Sequence, residues 1–235
     1  DQTKSILDKA KDEERPVAII VQKNTFNEYS AQKKEGDLGL SRENAIKEIA
    51  KFFDENACVV CTTGMASREL FEHRASTNEG HHKDFLTVGG MGHANQIALG
   101  LAKTDPNRIV YCIDGDGAAL MHMGSLAIIG QSNNKNFVHI LLNNGVHDSV
   151  GGQPTVGLDI DFSNIATAVG YPSILKINSK EEIEDVIKNI QLNKGPYFIE
   201  IKIKPGNRKD IGRPTKTPYE NKEAIMNFIH KNNNF

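Results

Sequence analysis

Asp116 stands between two glycines, Gly115 and Gly117, and after twenty-five intervening residues come two amides, Asn143 and Asn144. A carboxylate and a carboxamide are hard oxygen ligands. Few and well separated, they suit Mg²⁺, which wants an octahedron of oxygens and usually completes it with phosphate and water. The glycines let backbone N–H groups approach a phosphate closely, and a helix starting behind them adds a favourable dipole. Directly after the amides, the run His147-Asp148-Ser149-Val150-Gly151-Gly152-Gln153-Pro154-Thr155 is rich in groups that donate or pass on protons. His147 there has the placement of a proton-transfer group or an anion holder, with Asp148 either orienting it or supplying ordinary loop polarity. Further on, Arg208, Lys209 and Arg213 put three cations within six residues. Arginine suits bidentate binding of an oxyanion, although a solvated basic tail has the same composition.

Two apolar runs have to position the first pair of groups. Arg108 to Ile113 and Phe137 to Leu142 read as strands, and one crossover helix over about Ala119 to Gln131 would make them parallel neighbours. The carboxylate and the carboxamide then arrive at the same sheet edge. From Ser41 onward strands and helices alternate. An amphipathic helix carries Ala45, Ile46, Ile49, Ala50, Phe52 and Phe53, and Ala57 to Cys61 is a buried strand. Thr62-Thr63-Gly64 is the next turn, and Ser67 begins a short helix. Phe85 to Val88 is a strand leading into Gly89-Gly90-Met91-Gly92 and a small-residue helix from His93 to Leu101. Ile174 to Ile177 and Tyr197 to Ile203 complete the strands, with Ser179 and Glu182 as a capping box for a helix through Ile190. Continuous apolar strands alternating with helices predict an α/β, doubly wound parallel sheet over residues 41–204.

The flanks follow other rules. Residues 1–22 read as a helix, Thr3 to Glu14, and a short strand, Pro16 to Val21. That pair is too small for a core of its own and is expected to end a domain whose beginning lies upstream. The start at Asp1 rather than Met carries the same expectation. Residues 23–40 are polar and read as a linker. Residues 205–235 are a basic loop and a last helix, which Thr217, Pro218 and Glu220 start with N-cap, N1 proline and capping box; the end from Lys231 is expected to fray.

The 28 basic and 30 acidic side chains nearly cancel, so nothing points to nucleic acid or an anionic membrane. No apolar run approaches the roughly 20 residues that span a bilayer, and no signal peptide opens the sequence. A soluble, cytoplasmic protein is expected. The three cysteines, Cys58, Cys61 and Cys112, lie in apolar runs. The CxxC pair would face opposite sides of a strand and lacks further zinc ligands, so all three read as buried structural thiols.

The spacing of Gly115-Asp116-Gly117 and Asn143-Asn144 resembles the cofactor motif of thiamine diphosphate (ThDP) enzymes. The resemblance implies a diphosphate- and Mg²⁺-binding domain in which Asp116, Asn144 and the carbonyl of Val146 hold the metal. Asn143 with the Gly145 carbonyl is the alternative register. It further implies cofactor contacts from Gly115, Gly117 and Ala118, with Thr63 and Gly64 at the diphosphate or pyrimidine end. Gly89-Gly90-Met91-Gly92 would supply a carbonyl from Gly89 to the pyrimidine amino group, and Met91 as the wedge that keeps the cofactor bent. The bland reading of that stretch is a glycine turn with Met91 as core filler. A dinucleotide fingerprint is the other reading of these glycines, with Asp114 or Asp116 as the ribose acid. It is incomplete at Asn95 and leaves the two amides unexplained.

Asn143-Asn-Gly-x-His-Asp-Ser-Val-Gly-Gly-Gln-Pro-Thr155, with Arg208-Lys-Asp-Ile-Gly-Arg-Pro-Thr-Lys-Thr-Pro218, is most similar to the phosphonopyruvate and sulfopyruvate decarboxylase branch. This implies a small 2-oxo acid substrate, non-oxidative loss of CO₂ from 3-phosphonopyruvate, and a phosphonate held by Arg208 and Arg213. Sulfopyruvate is the alternative substrate, and a non-catalytic ThDP-binding or assembly module the alternative role. The family activates its cofactor with a glutamate from a pyrimidine-binding domain. No segment here matches it, since Glu14, Glu28, His81 and His82 lie in the wrong context. The resemblance therefore implies a partner domain, from the same or another subunit, and a homo-oligomer of at least two chains.

Overall fold

Strands that are apolar along their whole length must be covered on both faces. In the computed structural model, which describes residues 1–27 and 39–232, six strands, the central ones buried along nearly their whole length, form one parallel sheet flanked by helices. The chain divides into two units, Asp1–Gln32 and Lys33–Phe235.

The first unit holds helix α1 (Gln2–Asp12), none of whose residues is buried. Pro16 to Val21 is not the expected strand: the backbone joins no ladder, and Ile20 is 95% exposed. Strand propensity is only a readiness to pair, and no described residue of this unit offers a backbone to pair with. Residues 28–38 of the expected linker, Glu28 among them, lie outside the described residues, as do residues 233–235.

In the second unit Ser41 accepts a hydrogen bond from the backbone N–H of Asn44 and caps α2 (Arg42–Ala50). Then follow β1 (Cys58–Cys61), α3 (Met65–Thr77), β2 (Asp84–Leu86), α4 (Ala94–Thr104), β3 (Val110–Gly115), α5 (Asp116–Met121), α6 (Gly124–Gly130) and β4 (Phe137–Asn143). A two-residue ribbon, β5 (Val146–His147) with β6 (Gln153–Pro154), precedes α7 (Phe162–Val169), β7 (Ser173–Ile177), α8 (Lys180–Lys188), β8 (Tyr197–Lys202) and α9 (Pro218–Asn232). The sheet order is β2-β1-β3-β4-β8-β7.

Side chains alternate across the sheet. Val59, Tyr111, Ile140 and Ile199 pack with α2, α3 and α8 through Ile46, Leu70 and Ile183. Cys58, Val60, Cys112 and Phe198 pack with α4, α6 and α7 through Ala98, Ile129 and Phe162. Cys58 and Cys61 accordingly fall on opposite faces, and all three cysteines are free and buried.

The expected crossover helix is two pieces. It begins at Asp116, three residues early, and breaks at His122, whose φ of −134° leaves the helical region. The His122 ring packs on His93, centroids 4.4 Å apart, and Gly124 restarts the helix as α6. The two capping boxes also differ. At α9 the box closes: Thr217 N–H donates to Glu220 at 2.8 Å, and Glu220 N–H to Thr217 Oγ1 at 3.2 Å. At α8 the Ser179 side chain makes no cap bond, and Glu182 accepts from Asn178 N–H instead. Asn221 on α9 covers the open edge of β2, accepting from Leu86 N–H and donating to the Asp84 carbonyl. No described helix is long and apolar enough to cross a membrane.

Candidate functional site

β3 and β4 are register partners from Val110↔Phe137 to Gly115↔Leu142, so residues 116 and 144 leave the same end of adjacent strands. Asp116 is 1% exposed. Its Oδ1 accepts from Asn144 N–H at 3.4 Å, its Oδ2 accepts from the Thr155 hydroxyl, and no described Lys or Arg forms an ion pair with it. Burial raises its pKa, and the bonds from Thr155 and Asn144 only partly oppose that. Gly157 permits the close packing here: a Cβ at residue 157 would lie 2.5 Å from Asp116 Oδ2.

The two amides have separate employments. Asn143 donates to the Gly157 carbonyl at 2.7 Å and to Glu200 at 2.9 Å, inside the sheet end. Asn144 lines the cleft. Its Nδ2 donates to Asp148 at 2.7 Å, and its Oδ1 accepts from Val146 N–H at 3.2 Å. The carbonyls differ likewise. That of Gly145 accepts from Thr155 N–H at 2.7 Å, which leaves Val146, opposite Pro154, in the non-hydrogen-bonded pair of the ribbon, with its carbonyl turned away from the partner strand.

The predicted site residues are placed as follows. Asp116, Asn144, Val146 and His147 line one cleft, together with Gly115, Gly117 and Ala118. Thr63 and Met91 form its other wall. His147 lies over the glycine turn: a Cβ at residue 117 would be 2.3 Å from its ring. Gly64, with φ +101°, meets Ser149, whose atoms lie 3.3 Å from where its Cβ would be. Gly89, at φ +70°, and Gly90 do not line the cleft, and neither has an atom within 4 Å of a Cβ position. Arg208 and Arg213 do not line it either. Arg208 is engaged by Glu43 at 3.2 Å, by Glu72 and by Asp210 at 3.2 Å, which ties the basic loop to α2 and α3; Arg213 is exposed.

Several residues of the site had no distinguishing signal in the sequence. Arg42, 7% exposed, enters the cleft from the first turn of α2. It forms a two-pronged pair with Glu69 at 2.9 and 3.0 Å and donates to Asp148 at 2.7 Å. Asp148, read from the sequence as either orienting His147 or supplying loop polarity, has a side chain only 8% exposed and also accepts from Gly206 N–H at 3.0 Å. Thr62 lines the cleft with its hydroxyl buried and unpartnered. Beneath the turn, Asp114 accepts from Asn95 at 3.2 Å and from Gly115 N–H at 3.0 Å, and lies 3.4 Å from His139 Nε2. Asp114 is wholly buried, which removes it as a ribose-binding acid.

The fit to a cation with a diphosphate is direct. A buried carboxylate ion-paired with no described Lys or Arg, a carboxamide, a carbonyl turned out of the ribbon and an orphaned hydroxyl converge on one cleft behind a glycine turn. Hard oxygen donors of this number suit Mg²⁺ completed by phosphate oxygens. An α/β sheet binds its ligands at the carboxyl ends of the strands, where this cleft lies. The chain belongs to the family described as thiamine pyrophosphate enzyme, C-terminal TPP binding domain, whose model matches residues 62–201. Its cofactor is thiamine diphosphate.

Among individual relatives, the chain is 36% identical over 189 residues to the phosphonopyruvate decarboxylase of Streptomyces viridochromogenes, covering 80% of this chain and 46% of that protein. It is 34% identical over 192 residues to the sulfopyruvate decarboxylase subunit beta of Methanococcus maripaludis, covering 82% of this chain and 99% of that one. The chain thus spans about half the length of the phosphonopyruvate decarboxylases it matches. A putative thiamin diphosphate-dependent enzyme from Mycobacterium smegmatis shares the fold, with TM-score 0.58 and 23% identity over 71% of this chain and 32% of that one.

Proposed function

We propose that this chain is the diphosphate- and metal-holding part of a ThDP- and Mg²⁺-dependent decarboxylase acting on 3-phosphonopyruvate and yielding phosphonoacetaldehyde and CO₂. The observation that carries the reading is Asp116: buried, ion-paired with no described Lys or Arg, and set beside the Asn144 amide and the outward-turned Val146 carbonyl. Those three groups would hold the metal; the register through Asn143 and the Gly145 carbonyl is disfavoured because Asn143, whose Oδ1 is buried without a partner, does not line the cleft, and the Gly145 carbonyl already accepts from Thr155 N–H. When bound, the cofactor supplies an electron sink for the carbon that loses CO₂.

The chain's own groups then have defined tasks. The backbone at Gly115, Gly117 and Ala118, with Thr63 and Gly64 opposite, would cradle the diphosphate. Gly89, Gly90 and Met91 would support the ring end, with Met91 as an apolar wall that keeps water out. His147, whose ring lies against Gly117, would hold or deliver a proton at its ring nitrogens. Of the two arginines, Arg213 is the one open to a phosphonate, because three carboxylates already surround Arg208.

The glutamate-bearing pyrimidine domain would come from the same or another subunit of a cytoplasmic homo-oligomer. Residues 1–22 would be the last piece of such a domain, 23–40 a linker, 41–204 the cofactor domain and 205–235 its basic extension. A second reading, sulfopyruvate as substrate, is favoured by the relative of this chain's own size in Methanococcus maripaludis. The test is CO₂ release from both 2-oxo acids with ThDP and Mg²⁺, by this chain combined with a pyrimidine-domain partner. Phosphonopyruvate is expected to be turned over faster. Preference for the sulfonate selects the second reading. ThDP binding without turnover of either substrate leaves an assembly module.

A further inference from the structure

Asp148 sits where three parts of the fold meet, and each part gives it a donor. Asn144, from the end of β4, gives its side-chain N–H at 2.7 Å. Arg42, from the first turn of α2, gives a guanidinium N–H, also at 2.7 Å. Gly206, from the chain after β8, gives a backbone N–H to both carboxylate oxygens, at 3.0 and 3.1 Å. Arg42 is itself fixed from behind by Glu69. The Arg42 and Asp148 side chains are each 8% exposed and that of Glu69 2%, so solvent does little to loosen the arrangement.

An amide is nearly symmetric in shape but not in hydrogen bonding: one end only donates and the other only accepts. A carboxylate against one end settles which is which, because an oxygen placed against it would be repelled. With Nδ2 on Asp148, Oδ1 of Asn144 is turned to the opposite side, at the backbone N–H of Val146. We propose that Asp148, anchored by the buried Arg42–Glu69 pair, is the positioning residue that presents the Asn144 oxygen to a divalent cation. This inference rests on the reading of Asp116 and Asn144 as metal ligands. Partners behind a metal ligand orient it and commonly change metal affinity by about 10- to 100-fold when removed.

The geometry also says why asparagine is an inadequate replacement. Asp148 accepts from three donors, whereas the Asp148→Asn side chain has one acceptor oxygen and turns its own N–H groups toward Asn144, Arg42 or Gly206. The Asn144 amide is then free to rotate or to turn over, presenting N–H where oxygen is needed.

Mn²⁺ binding in the presence of thiamine diphosphate, followed by the loss of the free-ion electron paramagnetic resonance signal, reads the effect on the full chain without turnover. Asp148→Asn is expected to weaken Mn²⁺ at least about tenfold. Arg42→Lys, which keeps the charge and loses the fork, should weaken it less. Asn144→Ala combined with Asp148→Asn should bind as weakly as Asn144→Ala alone, because Asp148 acts through that amide. Wild-type affinity in Asp148→Asn overturns the proposal, and so does an additive loss in the double variant, which would mean a direct electrostatic effect. If Asp148→Asn does not fold, as judged by far-ultraviolet circular dichroism, Arg42→Lys decides on the same criterion. Failure of the unaltered chain to bind Mn²⁺ with thiamine diphosphate would instead sink the metal site itself, and the positioning role with it.

Discussion

Asp84 and Asp116 are equally buried, each 1% exposed, and each stands at one end of a strand. Asp84, at the start of β2, receives Arg74 in a two-pronged pair at 3.1 and 3.2 Å. Asp116, just past β3, receives a hydroxyl and a backbone N–H and no described cation. Burial raises both pKa values; Arg74 opposes this at Asp84, and the Thr155 hydroxyl does so at Asp116. The first site is finished as the chain folds, with charge answering charge. The second has no described Lys or Arg to answer it at a place where a cleft opens, as the proposed role in holding a metal requires.

Removing each carboxylate separates the two most sharply. Asp84→Ala should destabilise the chain by about 3–5 kcal/mol in urea unfolding, because Arg74 is left buried and partly unpaired. Asp116→Asn should change the stability of the metal-free chain little, since no cation is orphaned. The wild-type melting temperature should rise on adding Mg²⁺ with thiamine diphosphate, and that of Asp116→Asn should not. Equal destabilisation by both variants would erase the distinction.

A smaller effect probes the crowding of the open site. Gly117→Ala puts a methyl group 2.3 Å from the His147 ring and should cost about 1–3 kcal/mol by overpacking. Decarboxylation should fall with it if His147 must lie over the turn. Smaller still, Arg208→Ala should cost only about 0–1 kcal/mol, as half-exposed ion pairs do. It should leave KM for the 2-oxo acid unchanged, whereas Arg213→Ala raises KM without altering cofactor affinity. A raised KM in Arg208→Ala would return that residue to the substrate.

The smallest signal is chemical. Burial pushes the Cys58 thiol up to about 11 and those of Cys61 and Cys112 well above the ordinary thiol range. Iodoacetamide at pH 8 should leave the folded chain unlabelled and modify three thiols in urea, as counted by mass spectrometry.

Part of this site was legible because it is local. Asp116 and the two amides follow directly on apolar runs, and one crossover between parallel strands has to bring such ends together. The closed capping box at Thr217 was legible for the same reason. Ser179 and Glu182 show the limit, since the same spacing left the serine uncapped. Residues 16–21 show another: strand-type composition became no strand where no neighbouring backbone was supplied.

The amino-acid sequence by itself determined the alternation of strands and helices, the buried cysteines and the meeting of Asp116 with Asn144, because each follows from periodicity or from a single chain crossover. Only the tertiary structure decided that Asn144 rather than Asn143 opens to the cleft, that Arg208 is spoken for, and that Arg42 stands behind Asp148. Arg42 and Asp148 are 106 positions apart, and Arg208 and Glu43 165. Ion pairs over such separations depend on how whole helices dock, and no spacing along the chain encodes that.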